Sequence, residues 1–335
     1  MKKLELGVAY HGNRILKHVQ DDMLDILKHN ANLVVHMYTH NDMVRNKNLM
    51  SDVFKATTDL GLDFWVDNWG LMGAPGDPSH ILGYYPDSHS VYSDGEKDPK
   101  RICIASDGFM KFTKEWIDCV AEAGGKTIFW DEPSFREKPD GAYTCCCPKC
   151  RERFFDTYGK DMPAEVTEEV KEFRVNTIKK YFGEVTEYAH NNGIRSTACL
   201  MLHDLNWTRA MLEMPYMDNV GIDPYGYKED VYEYVMGHSK NLLSLSEPAG
   251  KESHIWLRCF KNPAGREDDI ISAADAAYDA GIRTILAWSF RGGSPCDYHS
   301  DNIDMTWHMT GEALRRLKDR EMDARRAESL KKLNL

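Results

Sequence analysis

Residues 6–27 of the chain, LGVAYHGNRILKHVQDDMLDIL, join an apolar run to a helical repeat. The apolar run is Leu6 to Tyr10. Apolar residues then recur three and four positions apart: Ile15, Leu16, Val19, Met23, Ile26 and Leu27. The first pattern is typical of a buried β-strand and the second of an amphipathic α-helix. The stretch is therefore predicted to form one strand followed by one helix.

The same alternation continues along the chain. Seven further apolar runs predict strands: Leu33 to Tyr38, Phe64 to Val66, Thr127 to Trp130, Thr197 to Leu202, Val220 to Ile222, Ile255 to Phe260 and Thr284 to Phe290. Apolar strands are expected in a parallel sheet that helices cover. Glycines that can end a helix precede several of them: Gly61, Gly124, Gly193 and Gly281. Eight such units predict an α/β fold, the (β/α)₈ TIM barrel, and no Gly-x-Gly-x-x-Gly turn favours an open dinucleotide-binding sheet instead.

Two long segments interrupt the alternation. One runs from Trp69 to about Ser106 after the third predicted strand, and is predicted to be a loop. The other, residues 133–163, follows the fourth strand and holds four cysteines. Both leave from the C-terminal ends of strands, where barrel enzymes carry their chemistry. Because no repeat or low-complexity linker divides the chain, residues 1–335 are predicted to form a single barrel domain with 133–163 as an excursion within it.

The charge balance excludes some partners. Lys and Arg number 42 and Asp and Glu 53, which gives a net charge of -11 at pH 7. Affinity for nucleic acid comes from neutralising phosphates, so this balance argues against a nucleic-acid partner. The longest apolar runs are far shorter than the roughly 18 residues of a membrane helix, and the first residues lack the apolar core of a signal peptide. The chain is predicted to be cytoplasmic and to have no membrane contact.

Polar and aromatic residues follow the predicted strands, whose C-terminal ends converge on one mouth of a barrel. The candidate substrate-binding residues are Tyr10, His11, His36, Asn68, Trp69, Asp131, His203, Tyr225, Arg258, Trp288 and Arg291. Trp69 and Trp288 are expected to stack on sugar rings, because a flat apolar face suits the C–H face of a sugar. Arg258 and Arg291 indicate an anionic sugar, since guanidinium pairs well with carboxylate or sulfate. Pairing of these arginines with acids of the site, such as Glu132, is the alternative.

An acidic pair, Asp131-Glu132, directly follows the fourth predicted strand, and Pro133 ends the strand. Consecutive strand side chains face opposite ways, so at least one of the two carboxyl groups points into the mouth. Glu132 is the predicted general acid/base. Asp223 is the predicted second catalytic carboxylate, with Asp67 as the other candidate. Neighbouring carboxylates can divide these roles, because proximity raises one pKa and leaves the other group ionised.

The cysteines predict a metal site. Nine cysteines are an odd number in a long chain, which does not indicate a disulfide framework. Cys145, Cys147 and Cys150 form a Cys-x-Cys-x-x-Cys cluster that can bring three thiolates to one tetrahedral ion. Cys103, in the preceding long loop, is the candidate fourth ligand. Four sulfur ligands leave no open position, so structural zinc is predicted, with free thiols as the alternative.

These residues carry a resemblance to a known family. A barrel with a Glu after strand four, a Cys in the preceding loop, and Cys-x-Cys-Pro-x-Cys followed by Arg151 and Phe154 resembles the catalytic domain of family-42 β-galactosidases. The resemblance implies that Cys103, Cys145, Cys147 and Cys150 bind zinc and that Glu132 is the acid/base. It also implies self-association, so a homo-oligomer is expected. The specific motifs lie between Cys103 and Phe154.

The chain departs from that family at two places. The family has Asn before the acid/base, whereas this chain has Asp131. The family's nucleophile is a Glu at the end of strand seven, and Ile255 to Phe260 contains none, while Glu252 precedes that run. The usual retaining pair therefore does not carry over.

Three functions follow from these observations. The leading prediction is a glycoside hydrolase that acts on a carbohydrate without an organic cofactor. A metal-dependent sugar isomerase, epimerase or lyase is the second, with Asp131, Glu132, His203 and Asp223 as ligands of a divalent ion. The third is a carbohydrate-binding barrel without activity, which the strand without a nucleophile favours.

Overall fold

The computed structural model describes residues 3–69, 78–202, 205–226, 230–294 and 296–332. The strands are β1 (Glu5–Tyr10), β2 (Leu33–Met37), β3 (Asp63–Asp67), β4 (His89–Val91), β5 (Lys97–Ile102), β6 (Thr127–Trp130), β7 (Arg195–Leu200), β8 (Asn219–Ile222), β9 (Glu252–Arg258) and β10 (Thr284–Trp288). The α-helices are α1 (Leu16–Lys28), α2 (His40–Arg45), α3 (Lys47–Thr58), α4 (Pro78–Tyr84), α5 (Asp107–Glu122), α6 (Pro148–Tyr158), α7 (Glu168–Asn191), α8 (Leu205–Leu212), α9 (Val231–Ser246), α10 (Asp269–Ala280) and α11 (Ile303–Lys332).

Eight of these strands form a closed barrel in the order β1-β10-β9-β8-β7-β6-β3-β2, and β4 and β5 form a separate two-stranded sheet. This confirms the (β/α)₈ prediction, and each of the eight apolar runs contains or overlaps a barrel strand. The largest difference in bounds is at β9, which begins at Glu252, three positions before the predicted start. Its first residues, Glu252 and Ser253, are polar and therefore add nothing to the apolar pattern that predicts a strand.

The chain divides into two compact units: Met1–Met37, Asp52–Trp65 and Asn219–Leu335 form the first, and Tyr38–Ser51 and Val66–Asp218 the second. In the first unit β1 pairs in parallel with β2 and β10, β10 with β9, and β9 with β8. In the second unit β6 pairs in parallel with β3 and β7. That residues 1–335 form a single domain stays a prediction.

The glycines predicted to end helices do so. The backbone φ is +77° at Gly61, +92° at Gly124, +72° at Gly193 and +113° at Gly281. These values lie in the left-handed region, which a side chain disfavours and glycine adopts freely. Each glycine therefore turns the chain out of a helix just before β3, β6, β7 or β10 begins.

The segment after β3 is more ordered than the loop predicted for it. Between Trp69 and Ser106 it contains helix α4 and the antiparallel hairpin of β4 and β5, in which His89 lies opposite Ile102 and Val91 opposite Lys97. Strand β5 has the sequence Lys97-Asp98-Pro99-Lys100-Arg101-Ile102. One side of the hairpin is largely exposed, so β5 contains many charged residues. These interrupt the apolar pattern from which a strand is predicted.

Helix α11 is the longest described helix, at 30 residues, but it is strongly charged. Within the part of the chain that the structure describes, no helix is both long and apolar enough to cross a membrane.

Candidate active site and metal centre

Three acidic side chains meet at the ends of two paired strands. Strand β3 ends at Asp67, and β6 runs into Asp131 and Glu132. Asp67 lies opposite Phe129 in the parallel register. Because side chains alternate along a strand, Asp131 faces the same side as Phe129, and therefore the same side as Asp67. The structure thus brings together three of the sequence-predicted residues.

Burial and like charge act together on this carboxyl cluster, which comprises Asp67, Asp131 and Glu132. Asp67 is 0% exposed, and neither of its oxygens has a hydrogen-bond partner among the described residues. Burial, and then the charges of Asp131 and Glu132, raise the pKa of Asp67 well above its usual range. Burial and the charge of Glu132 raise the pKa of Asp131 in the same direction. The cluster therefore keeps protons at pH values where an isolated carboxyl group has lost its own.

Glu132 has an unusual backbone conformation. Its φ is +35°, in the region that non-glycine residues seldom adopt. Such conformations persist where the surrounding structure holds them, and they concentrate at functional sites. Because of this backbone conformation, the direction of the Glu132 side chain need not follow the alternation of side chains along β6.

Asp67→Asn is expected to make the protein more stable at neutral pH than the wild type. Folding raises the pKa of Asp67, so between the usual carboxyl pKa of about 4 and the folded value the folded chain binds more protons than the unfolded chain. Stability therefore falls as pH rises through that window, by up to about 1.4 kcal/mol per unit of pKa difference. The amide that replaces the carboxyl group cannot ionise, so Asp67→Asn does not lose this part of the free energy of unfolding as pH rises.

Thermal melting from pH 4 to pH 8 measures the effect. The matched control is Asp63→Asn, at the other end of the same strand, where the side chain is 58% exposed and pairs with Lys3. If the melting temperatures of the wild type and Asp67→Asn change equally with pH, the pKa of Asp67 is not raised in the folded protein.

Two polar side chains lie beside the cluster, and the sequence prediction missed one of them. Arg101 on β5 donates from Nη1 to Ser134 Oγ at 3.0 Å, and its Nε is buried without a hydrogen-bond partner among the described residues. Burial and the charge of Arg136 lower the pKa of Arg101, and the charges of Asp98, Tyr92 and Glu132, in decreasing order, oppose this shift. Arg101 could not be predicted because β5 itself was not. The amide nitrogen of Asn68, which was predicted, is likewise buried without a described partner.

Several predicted substrate-binding residues of the first unit have partners inside the protein. The Tyr10 hydroxyl donates to Asp22 at 2.6 Å, and the side chain is 0% exposed. His36 Nε2 lies 2.8 Å from Thr57 Oγ1, and burial lowers the pKa of His36 to about 3. These contacts give both side chains a structural role in the core.

Aromatic rings surround His11 and Trp288. The two rings are 4.9 Å apart between centroids, in an edge-to-face arrangement. Burial lowers the pKa of His11 to about 4, so the ring is neutral at pH 7. Trp288 also packs edge-to-face against Trp256 at 5.3 Å, and it is half-buried. It therefore keeps some surface, as a sugar platform requires.

The two predicted arginines differ in their partners. Arg258 donates from Nη2 to the carbonyl oxygen of Lys261 at 2.8 Å, and it also donates to the carbonyl oxygens of Phe260 and Tyr225. Arg291 forms an ion pair with Asp25 at 3.0 Å. Arg258 therefore contacts neutral acceptors, whereas Arg291 contacts a carboxylate of helix α1.

The other predicted residues lie as follows. Asp223 and Tyr225 follow β8; Asp223 is half-buried, and its carbonyl oxygen accepts a hydrogen bond from the Tyr225 backbone nitrogen at 2.7 Å. Trp69, two residues after the end of β3, is half-buried. His203 lies outside the described residues.

The predicted metal ligands form a buried group. The sulfurs of Cys103, Cys145, Cys147 and Cys150 all lie within 4.8 Å of one another. Cys103 Sγ is 3.5 Å from Cys150 Sγ and 3.6 Å from Cys147 Sγ. A tetrahedral zinc with Zn–S bonds of about 2.3 Å places its sulfurs about 3.8 Å apart, so the donor set and spacing fit such an ion. Hydrogen bonds from the thiols of Cys103, Cys147 and Cys150 hold the pKa of Cys145 well below its usual range.

Backbone hydrogen bonds join the hairpin to the cysteine segment around this site. The Cys146 backbone nitrogen donates to the Val91 carbonyl at 2.7 Å, and that of Ser93 to the Tyr143 carbonyl at 2.8 Å. Cys103 lies one residue after β5, and the other three ligands lie just before α6 or in its first turn. The four-cysteine group thus connects the two long excursions that leave β3 and β6.

Arg174→Ala is expected to lower the free energy of unfolding by about 2–4 kcal/mol. Arg174 on α7 is 8% exposed and donates to the Thr144 carbonyl at 3.0 Å from Nε and 2.8 Å from Nη2. It also forms an ion pair with Glu137 at 2.7 Å. Its loss leaves the buried Thr144 carbonyl without these donors. Urea denaturation beside Lys171→Ala, an exposed change on the same helix, measures the effect; equal midpoints for the two variants would contradict it.

Comparisons with known proteins agree with the fold. No protein-family model matches the chain, and no curated protein matches it. Among solved structures, the endo-1,4-beta-mannanase from Rhizomucor miehei has a TM-score of 0.61 at 10% identity, over 94% of this chain and 95% of that chain.

Two further solved structures show the same similarity. The D-psicose 3-epimerase from Clostridium cellulolyticum H10 has a TM-score of 0.51 at 10% identity, over 94% and 98% of the two chains. A catalytic module of the pneumococcal exo-beta-D-N-acetylglucosaminidase has a TM-score of 0.52 at 8% identity, over 92% and 84%. At these identities the similarity establishes the TIM-barrel fold, and the resemblance to family-42 β-galactosidases stays a prediction.

Proposed function

We propose that this chain is a glycoside hydrolase in which Glu132 is the general acid/base. The observation that carries the proposal is the carboxyl cluster of Asp67, Asp131 and Glu132. Glycoside hydrolysis needs a carboxyl group that still holds a proton near neutral pH, together with a second carboxylate that is ionised. Burial and the charges of neighbouring carboxylates raise the pKa of Asp67 and Asp131, so these two groups keep a proton next to Glu132 that can be passed to it.

Each member of the cluster has a different part in this proposal. Glu132, half-buried and directly after β6, gives a proton to the leaving oxygen and later takes one from water. Asp131 is also half-buried and holds a proton next to Glu132. Asp67 has no exposed surface, so it acts on its neighbours by charge and proton exchange and does not contact the substrate.

The burial of Asp67 favours Asp223 as the second catalytic carboxylate. Asp223 is half-buried at the end of β8, as a group that contacts substrate must be. A nucleophilic role predicts a product with retained configuration, and a base role with an intervening water predicts inversion. Proton NMR of the first product formed distinguishes the two roles.

The substrate is proposed to be a carbohydrate. The mannanase and the exo-beta-D-N-acetylglucosaminidase that share the fold act on sugars according to their names, as does the D-psicose 3-epimerase. Arg258 supports an anionic sugar better than Arg291 does, because its described partners are neutral carbonyl oxygens. Zinc at the four cysteines would be structural: it would tie the two excursions together and, with four sulfur ligands, leave no position for substrate.

A hydrolysis screen tests the function. Wild-type protein is assayed on aryl α- and β-glycosides, uronides included, with and without a mild chelator under conditions that keep the four-cysteine ion. The proposal expects turnover of at least one glycoside that survives chelation. Turnover of none of the glycosides would support the alternatives, which are the metal-dependent isomerase, epimerase or lyase and, where a sugar binds without reacting, the inactive binding barrel.

A further inference from the structure

Two cavities of the second unit meet at Trp207, beyond the end of β6. The first, about 350 Å³, is lined by Pro133, Ser134, Phe135, Glu137, Met201 and Trp207, among others. The second, about 390 Å³, continues between α7 and α8. Both share Lys171, Arg174 and Trp207, so the two cavities form one groove. Each volume lies in the range of ligand-binding clefts, about 300–1,000 Å³.

The groove begins at Pro133, the residue that follows the proposed catalytic residue in the chain. Glu132 is followed directly by Pro133, Ser134 and Phe135, and all three of these residues line the first cavity. A ligand that fills the cavity therefore lies along the chain that leaves Glu132. This continuity distinguishes the groove from an isolated surface depression.

An aromatic pair forms one wall. The Phe135 and Trp207 rings are 5.7 Å apart at an angle of 86°, and Trp207 is half-buried. The Arg174 guanidinium also contacts the Phe135 ring, at 5.3 Å from its centroid. Met201, 37% exposed, adds apolar surface beside them. Flat, firmly held aromatic surface of this kind suits the C–H face of a sugar ring.

The charges along the outer part of the groove balance one another. Lys179 pairs with Glu213 at 2.5 Å, and Lys171 with Glu168 at 2.6 Å. A surface of mutually neutralised charges attracts neither a polyanion nor a polycation, but it offers many donors and acceptors to hydroxyl groups. A neutral, hydroxyl-rich chain fits this lining better than a nucleic acid or a strongly charged peptide.

We infer that this groove binds the sugar units of an oligosaccharide beyond the bond that is cleaved, with Trp207 as the stacking platform. The inference rests on the proposed function and extends it, because it assigns the substrate to chains of several sugar units. A chain of several units is therefore expected to bind more tightly than a disaccharide.

Calorimetric titration tests the inference in the Glu132→Gln background, in which hydrolysis is expected to be too slow to consume the probe during the titration. The probes are β-1,4-linked oligosaccharides of mannose, glucose, xylose and galactose, from two to six units long. At least one series is expected to bind more tightly as length increases. Trp207→Ala is expected to weaken binding of the six-unit member about tenfold while leaving the two-unit member unchanged, and Trp207→Phe to restore most of the loss.

Two further variants distinguish loss of the contact with the sugar from a general effect of the substitution on the protein. Phe155→Ala removes an aromatic side chain that is 52% exposed on α6 and does not line the groove, and it is expected to bind like its parent. Met201→Arg puts a long side chain into the first cavity from an exposed position. It is expected to weaken binding of the six-unit member as Trp207→Ala does, so the test remains decisive even if Trp207→Ala is unstable.

The outcomes separate the inference from the proposed function. Binding that does not depend on length, or that Trp207→Ala and Met201→Arg leave unchanged, overturns the inference, as does failure of every series to bind. Length-dependent binding through Trp207 without hydrolysis by the wild type supports the groove and overturns the proposed function.

Discussion

Replacing Glu132 by glutamine is expected to lower the rate of glycoside hydrolysis by about 10²–10⁴-fold while the fold is retained. Glutamine keeps the shape of the side chain and its hydrogen-bonding atoms, but it can neither give nor accept the catalytic proton. It also removes a negative charge that raises the pKa of Asp67 and Asp131. The substitution therefore disturbs the proton of the whole cluster, and the stability of the folded chain is expected to stay the same or rise.

Substrates with different leaving groups sharpen this test. A leaving group that departs without protonation, such as dinitrophenolate, needs the acid less than an alkyl glycoside does, so Glu132→Gln is expected to spare the first substrate. The matched control is Glu115→Gln, an exposed glutamate of α5 in the same unit. Equal losses on both substrates, or an unchanged rate on the alkyl glycoside, would remove Glu132 from the acid role.

Replacing Cys150 by serine is expected to reduce bound metal from about one ion per chain to a small fraction and to lower the melting temperature strongly. Structural zinc contributes about 10–16 kcal/mol of apparent binding free energy in small domains, and much of it depends on a complete set of thiolates. The four cysteines here connect the hairpin to the segment after β6. Loss of the ion is therefore expected to loosen both excursions.

Cys146 supplies the control within the same motif. It is 2% exposed, like the ligands, but its Sγ donates to the Tyr143 carbonyl at 3.5 Å. Cys146→Ser keeps a donor at that place and is expected to retain the metal. Elemental analysis and thermal melting of the wild type, Cys146→Ser and Cys150→Ser measure both effects. A wild type that carries no metal when purified without chelator would contradict the zinc assignment.

Several features of the site were predictable because they depend on local pattern. The apolar run of β6 followed by Asp131-Glu132-Pro133 places two carboxyl groups at the end of a strand, whatever the neighbouring strands are. The spacing of Cys145, Cys147 and Cys150 is short enough that three thiolates must lie close together. These signals survive in the sequence since each involves only a few consecutive residues.

Other features depend on residues distant in sequence. Arg101 reaches Ser134 because a charged hairpin folds back against the segment after β6, and nothing in the composition of β5 predicts that hairpin. The groove wall needs Phe135 and Trp207, 72 positions apart, to meet edge to face. Tyr10 and His36 follow the pattern of mouth residues, yet their partners Asp22 and Thr57 lie on helices.

The sequence by itself determined the barrel class, the order of the eight barrel strands, the glycine helix ends and the acidic and cysteine motifs, because apolar periodicity and backbone preference act over short stretches. The tertiary structure alone decided which of the polar side chains have partners in the core. It also decided how far Asp67 is buried and that its carboxyl group lies near those of Asp131 and Glu132. Burial and Coulomb interaction depend on distances in space, which strand pairing sets and which no local pattern encodes.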